Sequence, residues 1–450
     1  MELKTYFVET WGCQMNVLDS QCLEGILQAQ GLRPVDAAGD TDVALLNTCS
    51  VREKAVQKVL SRLGELRQAR LETGNPRVIG LCGCVAEQEG ARLLARSPAL
   101  SFVLGPGRIN QLGTALDAVR GGERVTVTGF EQTRDIDTHL VARGNSARQF
   151  VTAVHGCNQH CTFCVVPYTR GHELSRPLAE IVAEVELLAG AGVKEITLLG
   201  QTVNAYRCPE TGADFGDLLA AVDAVDGPWR IQFVTSHPKY FTDNMIASLA
   251  RLRKLGRNLH VPFQAGSDRV LARMHRGYSS GEYLAMADAL RAAIPDLTLS
   301  TDVIVGFPGE GDDDFEQTLA IIERVRFGQL YGFIFSPRPR TPAARYEGRV
   351  PRAVAGDRLE RVFALQGAIQ LELNQALIGR SVEVLVDGPA RRGATLWQGR
   401  GDDNRVVNFP AWPGIAAGML TRLTISGATA HALLGVPAAE AERAARPAGA

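Results

Sequence analysis

Short apolar runs alternate with helical patterns along the first 120 residues of the chain. The runs at residues 4–9, 43–47 and 77–81 predict strands. Between them, residues 21–30 and 53–71 carry apolar side chains at the spacing of amphipathic helices. Such alternation predicts a parallel sheet that is covered by helices on both faces. We therefore expect residues 1–120 to form an open parallel-sheet α/β domain.

The alternation stops over residues 121–142, a polar stretch expected to be a linker, and resumes over residues 143–375. Six further strands are predicted in this second domain. They cover residues 150–154, 195–199, 230–235, 259–263, 298–305 and 330–335. Six strands with right-handed crossovers are too few for a closed eight-stranded barrel. We therefore expect a partial (β/α)6 barrel, closed by a helix near residues 352–377.

The chain changes character again after residue 375. Residues 376–438 carry short strand patterns separated by Gly, Pro and Asp, with no long helical pattern. This is typical of a small antiparallel β-barrel of the OB type, an architecture that often binds nucleic acids. Residues 439–450 are rich in Ala and are expected to form a flexible tail. The predicted fold class is thus α/β, with a small β-barrel as the last domain.

Composition limits the classes of function that are open to the chain. Among 450 residues, 48 are basic and 49 are acidic, and 45% are hydrophobic. The fractions are those of a folded globular protein, and a net charge of −1 excludes a bulk polycation. Any nucleic-acid contact must therefore use local basic patches. Because no signal-peptide pattern and no long apolar stretch is evident, we expect a cytoplasmic protein without membrane contact.

Three cysteines in one loop carry the clearest chemical signal. Cys157, Cys161 and Cys164 (the loop triplet) follow the predicted strand at residues 150–154 with the spacing C-x3-C-x2-C. A reducing cytoplasm disfavours structural disulfides, and thiolates this close together suit a metal or an iron–sulfur cluster. Three ligands on a four-iron cluster leave one iron open to a small molecule. The alternative is structural zinc, with one of two neighbouring histidines as the fourth ligand.

A second set of cysteines is dispersed along the first domain. Cys13, Cys49 and Cys84 (the dispersed triplet) are separated by 36 and 35 residues, and each lies at or just beyond the carboxyl end of a predicted strand. These ends share one edge of a parallel sheet, where ligands bind, so the three thiols are expected to converge. The alternative is three unrelated buried thiols. Cys82 competes with Cys84 for the third position.

Longer motifs around these cysteines resemble one enzyme family. Residues 155–177 (HGCNQHCTFCVVPYTRGHELSRP) are similar to the signature of radical S-adenosylmethionine (SAM) enzymes and, more narrowly, of the methylthiotransferases. Members of that family combine an α/β domain that has three cysteines, a partial radical-SAM barrel and a C-terminal barrel called TRAM, in this order. Further matching stretches are LLGQTVNAY (198–206), TSHP (235–238), HVPFQAGSD (260–268), DVIVGFPGE (302–310), FSPRPRTPAA (335–344) and NRVVNF (404–409). The resemblance covers nearly the whole chain.

The resemblance implies two [4Fe–4S] clusters and SAM as cofactors. The loop triplet would hold the SAM-binding cluster, and the dispersed triplet would hold an auxiliary cluster that carries the transferred sulfur. The family context of the third auxiliary ligand selects Cys84 over Cys82. The implied reaction places sulfur and methyl on adenine C2 of N6-isopentenyl(dimethylallyl)adenosine beside the tRNA anticodon. The cofactors would carry this chemistry, with no further catalytic side chain.

Further contacts are implied with less specificity. Candidate SAM-binding residues are Phe163, Gly200, Gln201, Ser236 and Gln264. Each of them has an ordinary alternative as a turn or packing residue.

Candidate RNA contacts come from two basic runs and two aromatic residues. The runs lie within residues 251–276 and 338–352, and the aromatic residues are Trp397 and Phe409. The alternative for the runs is a solvated face, and for the aromatic residues it is the core of the small barrel.

Three other functions compete with the leading prediction. The same chemistry on threonylcarbamoyladenosine in tRNA, or on an aspartate of a ribosomal protein, differs only in substrate. The motif NRVVNF and the near-continuous match favour the isopentenyl substrate. A non-catalytic RNA-binding protein with structural zinc is the alternative from another class. Expected partners are the tRNA anticodon stem-loop, an electron donor and a sulfur or cluster-supply system, with the protein itself a monomer.

Overall fold

The structure of the protein is a computed structural model that describes residues 2–50, 54–130, 141–144, 146–390 and 395–437. Three successive units follow one another along the chain. Within the described ranges, no helix combines the length and the apolar character needed to cross a bilayer.

The first unit is a six-stranded parallel sheet with helices on both faces. Its strands are β1 (Thr5–Trp11), β2 (Arg33–Pro34), β3 (Val43–Thr48), β4 (Val78–Gly83), β5 (Phe102–Leu104) and β6 (Val125–Val127), and its helices are α1 (Gln14–Ala29), α2 (Lys54–Thr73), α3 (Cys84–Arg96) and α4 (Leu112–Arg120). The strand order is β2-β1-β3-β4-β5-β6. Helices α1 and α4 pack on one face, and α2 and α3 pack on the other. Every residue of β3 and β4 is buried, which explains why both strands are marked by apolar runs.

Two elements of this unit differ from the sequence prediction. Strand β6 pairs with β5, so the sheet extends beyond residue 120 into the expected linker. The strand has three residues and none is buried, so it carries no apolar run. Helix α1 begins seven residues earlier than predicted, because its first turns bury the polar residues Asn16, Asp19 and Ser20. Residues 131–140 of the expected linker lie outside the described residues.

The second unit is the predicted partial barrel. Its strands are β7 (Arg148–Thr152), β8 (Val154–His155), β9 (Leu174–Ser175), β10 (Glu195–Leu199), β11 (Arg230–Phe233), β12 (Asn258–His260), β13 (Thr298–Val305) and β14 (Gln329–Ile334). Strands β7, β10 and β11 form one parallel sheet, and β12, β13 and β14 form another. A parallel bridge between Ile231 and Leu255 brings the two sheets together. Strands β8 and β9 form a separate antiparallel pair.

Helices surround this partial barrel and supply one large apolar core with it. They are α5 (Val166–Arg170), α6 (Leu178–Gly190), α7 (Phe215–Ala224), α8 (Asp243–Arg251), α9 (Asp268–Met274), α10 (Ser280–Ala293), α11 (Asp312–Val325) and α12 (Arg352–Gln375). The long α12 packs along β14 and α11 at the end of the strand series.

The third unit is a closed five-stranded barrel. Its strands are β15 (Ser381–Pro389), β16 (Leu396–Gly401), β17 (Val406–Pro410), β18 (Leu420–Ala428) and β19 (Leu433–Pro437). The order β15-β16-β17-β19-β18 closes through β18 and β15. The prediction of an antiparallel barrel needs one correction, because β17 and β19 are parallel. Phe409 is fully buried beside Trp412, so it fills the core, while Trp397 is half-buried. The expected tail at residues 439–450 lies outside the described residues.

The small barrel packs against the amino ends of the partial-barrel strands through buried charges. Arg230 pairs with Glu195 and donates a hydrogen bond to the carbonyl of Gly401 in the small barrel. Arg148 lies 3.3 Å from Glu195 and also pairs with Asp387 of β15. The side chains of Arg230 and Glu195 are 2% and 5% exposed. Two arginines thus share one buried carboxylate at this domain contact.

We expect the Glu195→Ala substitution to destabilise the protein. It leaves Arg230 buried without its counter-charge, and breaking a buried pair from one side costs about 3–5 kcal/mol. The measurement is the free energy of unfolding in urea, with the exposed Glu360 on α12 replaced by Ala as the control. The control should change stability by less than about 0.5 kcal/mol. Equal stability of the two variants would contradict this role of Glu195.

Candidate metal centres

The structure brings the dispersed triplet together at the carboxyl edge of the N-terminal sheet. Cys13 follows β1, Cys49 follows β3, and Cys84 follows β4 as the first residue of α3. Because these three strands are neighbours in the sheet, their ends lie side by side. The thiol of Cys49 forms hydrogen bonds with both Cys13 and Cys84. Cys82 packs instead in the apolar core beneath α1 and α4.

A pair of buried asparagines holds two of these chain ends. The side-chain oxygen of Asn16 accepts a hydrogen bond from the backbone N–H of Cys13 at 3.3 Å, and its Nδ2 donates to Oδ1 of Asn47 at 3.3 Å. Asn47 donates in return to the carbonyl of Asn16 at 2.8 Å and to Ser20 at 2.9 Å. Sequence reasoning did not identify these asparagines. The signal that could have revealed Asn16 is the set of polar residues that follows Cys13.

Hydrogen bonding and charge divide the three thiols into two types. The pKa values of Cys13 and Cys84 are each lowered to about 6, first by the hydrogen bond with Cys49 and then by the positive charge of Arg170. Both effects favour the thiolate form of Cys13 and Cys84. The pKa of Cys49 is raised, first by its hydrogen bonds with Cys13 and Cys84 and then by burial. Thiolate is the form that binds metal.

The loop triplet lies at the mouth of the partial barrel, after the short strand β8. The Sγ of Cys157 is 3.1 Å from the hydroxyl of Thr202, and Nη1 of the buried Arg276 is 3.2 Å from the Sγ of Cys161. The backbone N–H of Cys164 donates to the carbonyl of Cys161 at 3.0 Å. Burial raises the pKa of Cys164 to about 12. Thr202 and Arg276 were not identified from sequence, because their contacts to these cysteines form only in the fold.

Four of the five candidate SAM-binding residues lie near the carboxyl ends of barrel strands, the end that carries the loop triplet. Gly200 directly follows β10, and a Cβ there would lie 2.9 Å from the Cα of Val203, so packing alone requires glycine. Ser236 follows β11 and donates to the carbonyl of His260. Gln264 follows β12 with a φ of +70°, a backbone conformation that non-glycine residues rarely adopt.

The fourth of these candidates, Gln201, and the fifth, Phe163, are each next in sequence to a residue that belongs to the loop triplet or contacts it. Phe163, between Cys161 and Cys164, packs on an apolar cluster that includes Met274. Gln201 is half-buried, and it precedes Thr202, which contacts Cys157. The structure thus gathers all five candidates around one end of the barrel, and their contact with SAM remains a prediction.

The donor sets fit iron–sulfur chemistry. Each triplet combines three thiols with a buried arginine. Three thiolates are the ligand set of a four-iron cluster that keeps one iron open. A structural zinc ion needs four ligands around one point.

Comparison with known proteins places the chain in a family. Residues 151–322 match the radical SAM superfamily, and residues 5–105 match uncharacterized protein family UPF0004. A protein of Burkholderia multivorans named tRNA-2-methylthio-N(6)-dimethylallyladenosine synthase is 43% identical, and the match covers 96% of each chain. A protein of Burkholderia vietnamiensis that has the same name is 44% identical over 91% of each chain. The chain belongs to this synthase family. As a radical SAM family member it has SAM and an iron–sulfur cluster as cofactors.

Solved structures show the same fold at low identity. The cobalamin-dependent radical SAM enzyme OxsB, with aqua-cobalamin and SAM bound, matches with a TM-score of 0.53 at 12% identity, covering 81% of this chain and 56% of OxsB. The radical SAM methyltransferase TsrM from Kitasatospora setae matches with a TM-score of 0.54 at 15% identity. This match covers 76% of this chain and 75% of TsrM. At these identities the likeness concerns the fold alone.

The two basic runs occupy different places in this synthase family member. The first run is split between the two ends of the barrel: Arg253 and Lys254 precede β12, whereas Arg273 and Arg276 lie beyond its carboxyl end. The run therefore does not form one patch. In the second run Arg340 is exposed, and its guanidinium lies 4.9 Å from the ring centre of Tyr168, next to the loop triplet.

We expect the Gly83→Ala substitution to disturb the dispersed triplet. Gly83 has a φ of +87°, and a Cβ there would lie 2.4 Å from Oδ1 of Asn47. The backbone strain costs about 1–3 kcal/mol, measured as a loss in the free energy of unfolding. The control is Gly64→Ala on the exposed side of α2, where a Cβ meets no atom within 4 Å. That variant should gain up to about 1 kcal/mol. A stable Gly83→Ala protein would contradict the requirement for glycine here.

Proposed function

We propose that the protein converts N6-isopentenyl(dimethylallyl)adenosine beside the tRNA anticodon into its 2-methylthio derivative. The main observation in support is that the short helix α5 connects two three-thiol sites, one in the N-terminal domain and one in the partial barrel. The loop triplet directly precedes α5, and Arg170 at its end contacts Cys84 of the dispersed triplet at 3.2 Å. The names of the related proteins, matched over nearly the whole chain, support the same reaction.

Two [4Fe–4S] clusters belong to this proposal. The loop triplet would hold the cluster that binds SAM, and the dispersed triplet would hold the auxiliary cluster. When bound, these groups and SAM supply the radical chemistry at adenine C2, the transferred sulfur and the methyl group. Phe163, Gly200, Gln201, Ser236 and Gln264 would surround SAM at the barrel mouth. The chain itself would hold the cofactors and set the distance between them.

Apolar packing also joins the two domains beside the dispersed triplet and would help to exclude water there. Met15 and Leu18 of α1 pack against Leu199 of β10 and contact Phe150 and Val234. This apolar contact lies beside the dispersed triplet and presses the first domain against the partial barrel. Exclusion of water from the site protects reactive intermediates from side reactions. The packing therefore supports radical chemistry between the two domains.

Recognition of tRNA is proposed for the same end of the barrel. Three exposed arginines, Arg340, Arg345 and Arg349, lie on the segment between β14 and α12, and Arg352 is exposed at the start of α12. Their guanidinium groups can neutralise phosphates although the whole chain has a net charge of only −1. We further propose an external electron donor, a system that supplies sulfur or clusters, and a monomeric enzyme.

Metal content tests the two-cluster assignment. Iron, sulfide and zinc would be measured on anaerobically purified protein, together with the visible spectrum. We expect about eight irons per wild-type chain and about four in a Cys157→Ala/Cys161→Ala/Cys164→Ala variant. Cys208→Ala, which changes a buried thiol outside both triplets, is the control and should keep the full iron content. Zinc without a visible chromophore would instead favour a non-catalytic RNA-binding protein.

A substrate comparison tests the reaction. The reduced enzyme would be incubated with SAM and with anticodon stem-loops that carry either isopentenyladenosine or threonylcarbamoyladenosine. We expect the 2-methylthio product, detected by mass spectrometry of nucleosides, only from the isopentenyl substrate. The triple-Ala variant should give none, because it lacks the SAM-binding site. Product from the threonylcarbamoyl substrate alone would show that threonylcarbamoyladenosine in tRNA is the substrate. Product from a peptide of the ribosomal protein would instead favour an aspartate of that protein as the substrate.

A further inference from the structure

Arg170 is a buried arginine that connects the two cysteine sites. It is the last residue of α5, and its side chain is 3% exposed. Its Nε donates a hydrogen bond to the Sγ of Cys84 at 3.2 Å, across a sequence separation of 86 residues. Its Nη2 forms an ion pair with Oδ2 of Asp19 on α1 at 2.7 Å. One guanidinium thus contacts two of the elements that build the dispersed triplet.

The residues on either side of α5 belong to the loop triplet. Cys164 lies two residues before the helix, and the carbonyl of Gly171, directly after it, accepts a hydrogen bond from the backbone N–H of Cys157 at 3.1 Å. If Arg170 moved, the loop triplet would therefore move with it, because Cys164 precedes α5 by two residues and Cys157 is bonded to Gly171, the residue after Arg170. Because Arg170 at the end of α5 is hydrogen-bonded to Cys84, the position of Cys84 depends on the position of the loop triplet.

A purely structural ion pair does not account for all of this geometry. Asp19 neutralises the charge of Arg170, but it does not require the Nε to point at a sulfur. The second triplet has the same feature, because Nη1 of Arg276 lies 3.2 Å from the Sγ of Cys161. Each set of three thiols therefore has one buried guanidinium that donates to one of its sulfurs.

The chemistry of the guanidinium suits a bound cluster. Hydrogen bonds to the sulfurs and the net charge around a cluster set its reduction potential. A nearby positive charge stabilises the more negative, reduced state, and burial strengthens this effect because water does not screen it. Arginine keeps its charge at every working pH and offers several N–H donors in fixed directions.

We propose that Arg170 is a positioning residue of the auxiliary centre. It holds the Cys84 sulfur against the segment that follows the loop triplet, and its charge makes one-electron reduction of the auxiliary cluster easier. The inference rests on the proposed function, since it requires a cluster on the dispersed triplet. Beyond the proposed function, the inference assigns Arg170 an effect on the auxiliary cluster that is exerted through the sulfur of Cys84.

The test uses the full chain with only the auxiliary cluster present. The Cys157→Ala/Cys161→Ala/Cys164→Ala background removes the other cluster, and reconstitution should load about four irons. Dithionite supplies the electron, and the paramagnetic signal of the reduced cluster is followed by electron paramagnetic resonance during a redox titration. Arg170→Met is expected to shift the midpoint potential to a more negative value. Arg170→Lys, which keeps the charge but not the planar donor geometry, is expected to lie between Arg170→Met and the parent.

A second variant separates the contact with sulfur from the loss of the ion pair. Arg170→Met alone leaves Asp19 buried without its partner, whereas Arg170→Met/Asp19→Asn removes both charges together. We expect the potential to stay low in the double variant, because the guanidinium at Cys84 is still missing. Return of the parent potential in the double variant would overturn the proposal, since the shift would then come from Asp19. Arg276→Met in the same background is the matched control and should leave the potential unchanged.

The outcomes distinguish this inference from the proposed function. A triple-Ala background that binds no iron would contradict the auxiliary cluster itself. A background with about four irons, but with an identical potential and signal in Arg170→Met, would overturn the role of Arg170 alone. If Arg170→Met loses its iron while Arg170→Lys retains it, the positioning role is supported. The midpoint potentials of the auxiliary cluster in Arg170→Lys and in the double variant then decide whether the charge of Arg170 makes its reduction easier.

Discussion

The contact between the Arg170 guanidinium and the Cys84 sulfur is the interaction on which the architecture around the site depends. The N-terminal sheet and the partial barrel each carry a complete three-thiol site, so neither needs the other to form its own set. The proposed reaction would need the two sets at a defined distance. The short helix α5 meets that need, because it begins just after one set and ends in an arginine that contacts the other.

Buried arginines lie at two of the contacts between domains of this chain. Arg170 pairs with Asp19 beside the dispersed triplet, and Arg230 pairs with Glu195 where the small barrel joins the partial barrel. Burial of an unpaired charge is costly, whereas a paired charge with hydrogen bonds is tolerated and is sensitive to the position of its partner. These contacts therefore hold domains in a defined arrangement, which apolar packing alone would specify less sharply. Neither arginine stood out in the sequence.

Sequence reasoning succeeded where the signal is local or periodic. The loop triplet lies within eight residues, and the dispersed triplet repeats with the strand–helix unit, so the geometry of a parallel sheet brings its members together. Sequence reasoning failed where polar residues are buried or where a strand has no buried apolar residue. Helix α1 begins early because Asn16 and Asp19 are buried toward the cysteines, and strand β6 was missed because its three residues carry no apolar pattern. The first basic run is split between two ends of the barrel, which no linear pattern can show.

The sequence by itself determined the grouping of the candidate cysteines in threes, the order of the domains and the family. These follow from spacing and from the repeating alternation of strands and helices, which are properties of the chain read in order. Only the tertiary structure decided which side chains surround the thiols. The arginine at Cys84 comes from 86 residues away and the arginine at Cys161 from 115 residues away. Hydrogen bonds and electrostatic effects act over a few ångströms in space, so partners this far apart in sequence are brought together only by the complete fold.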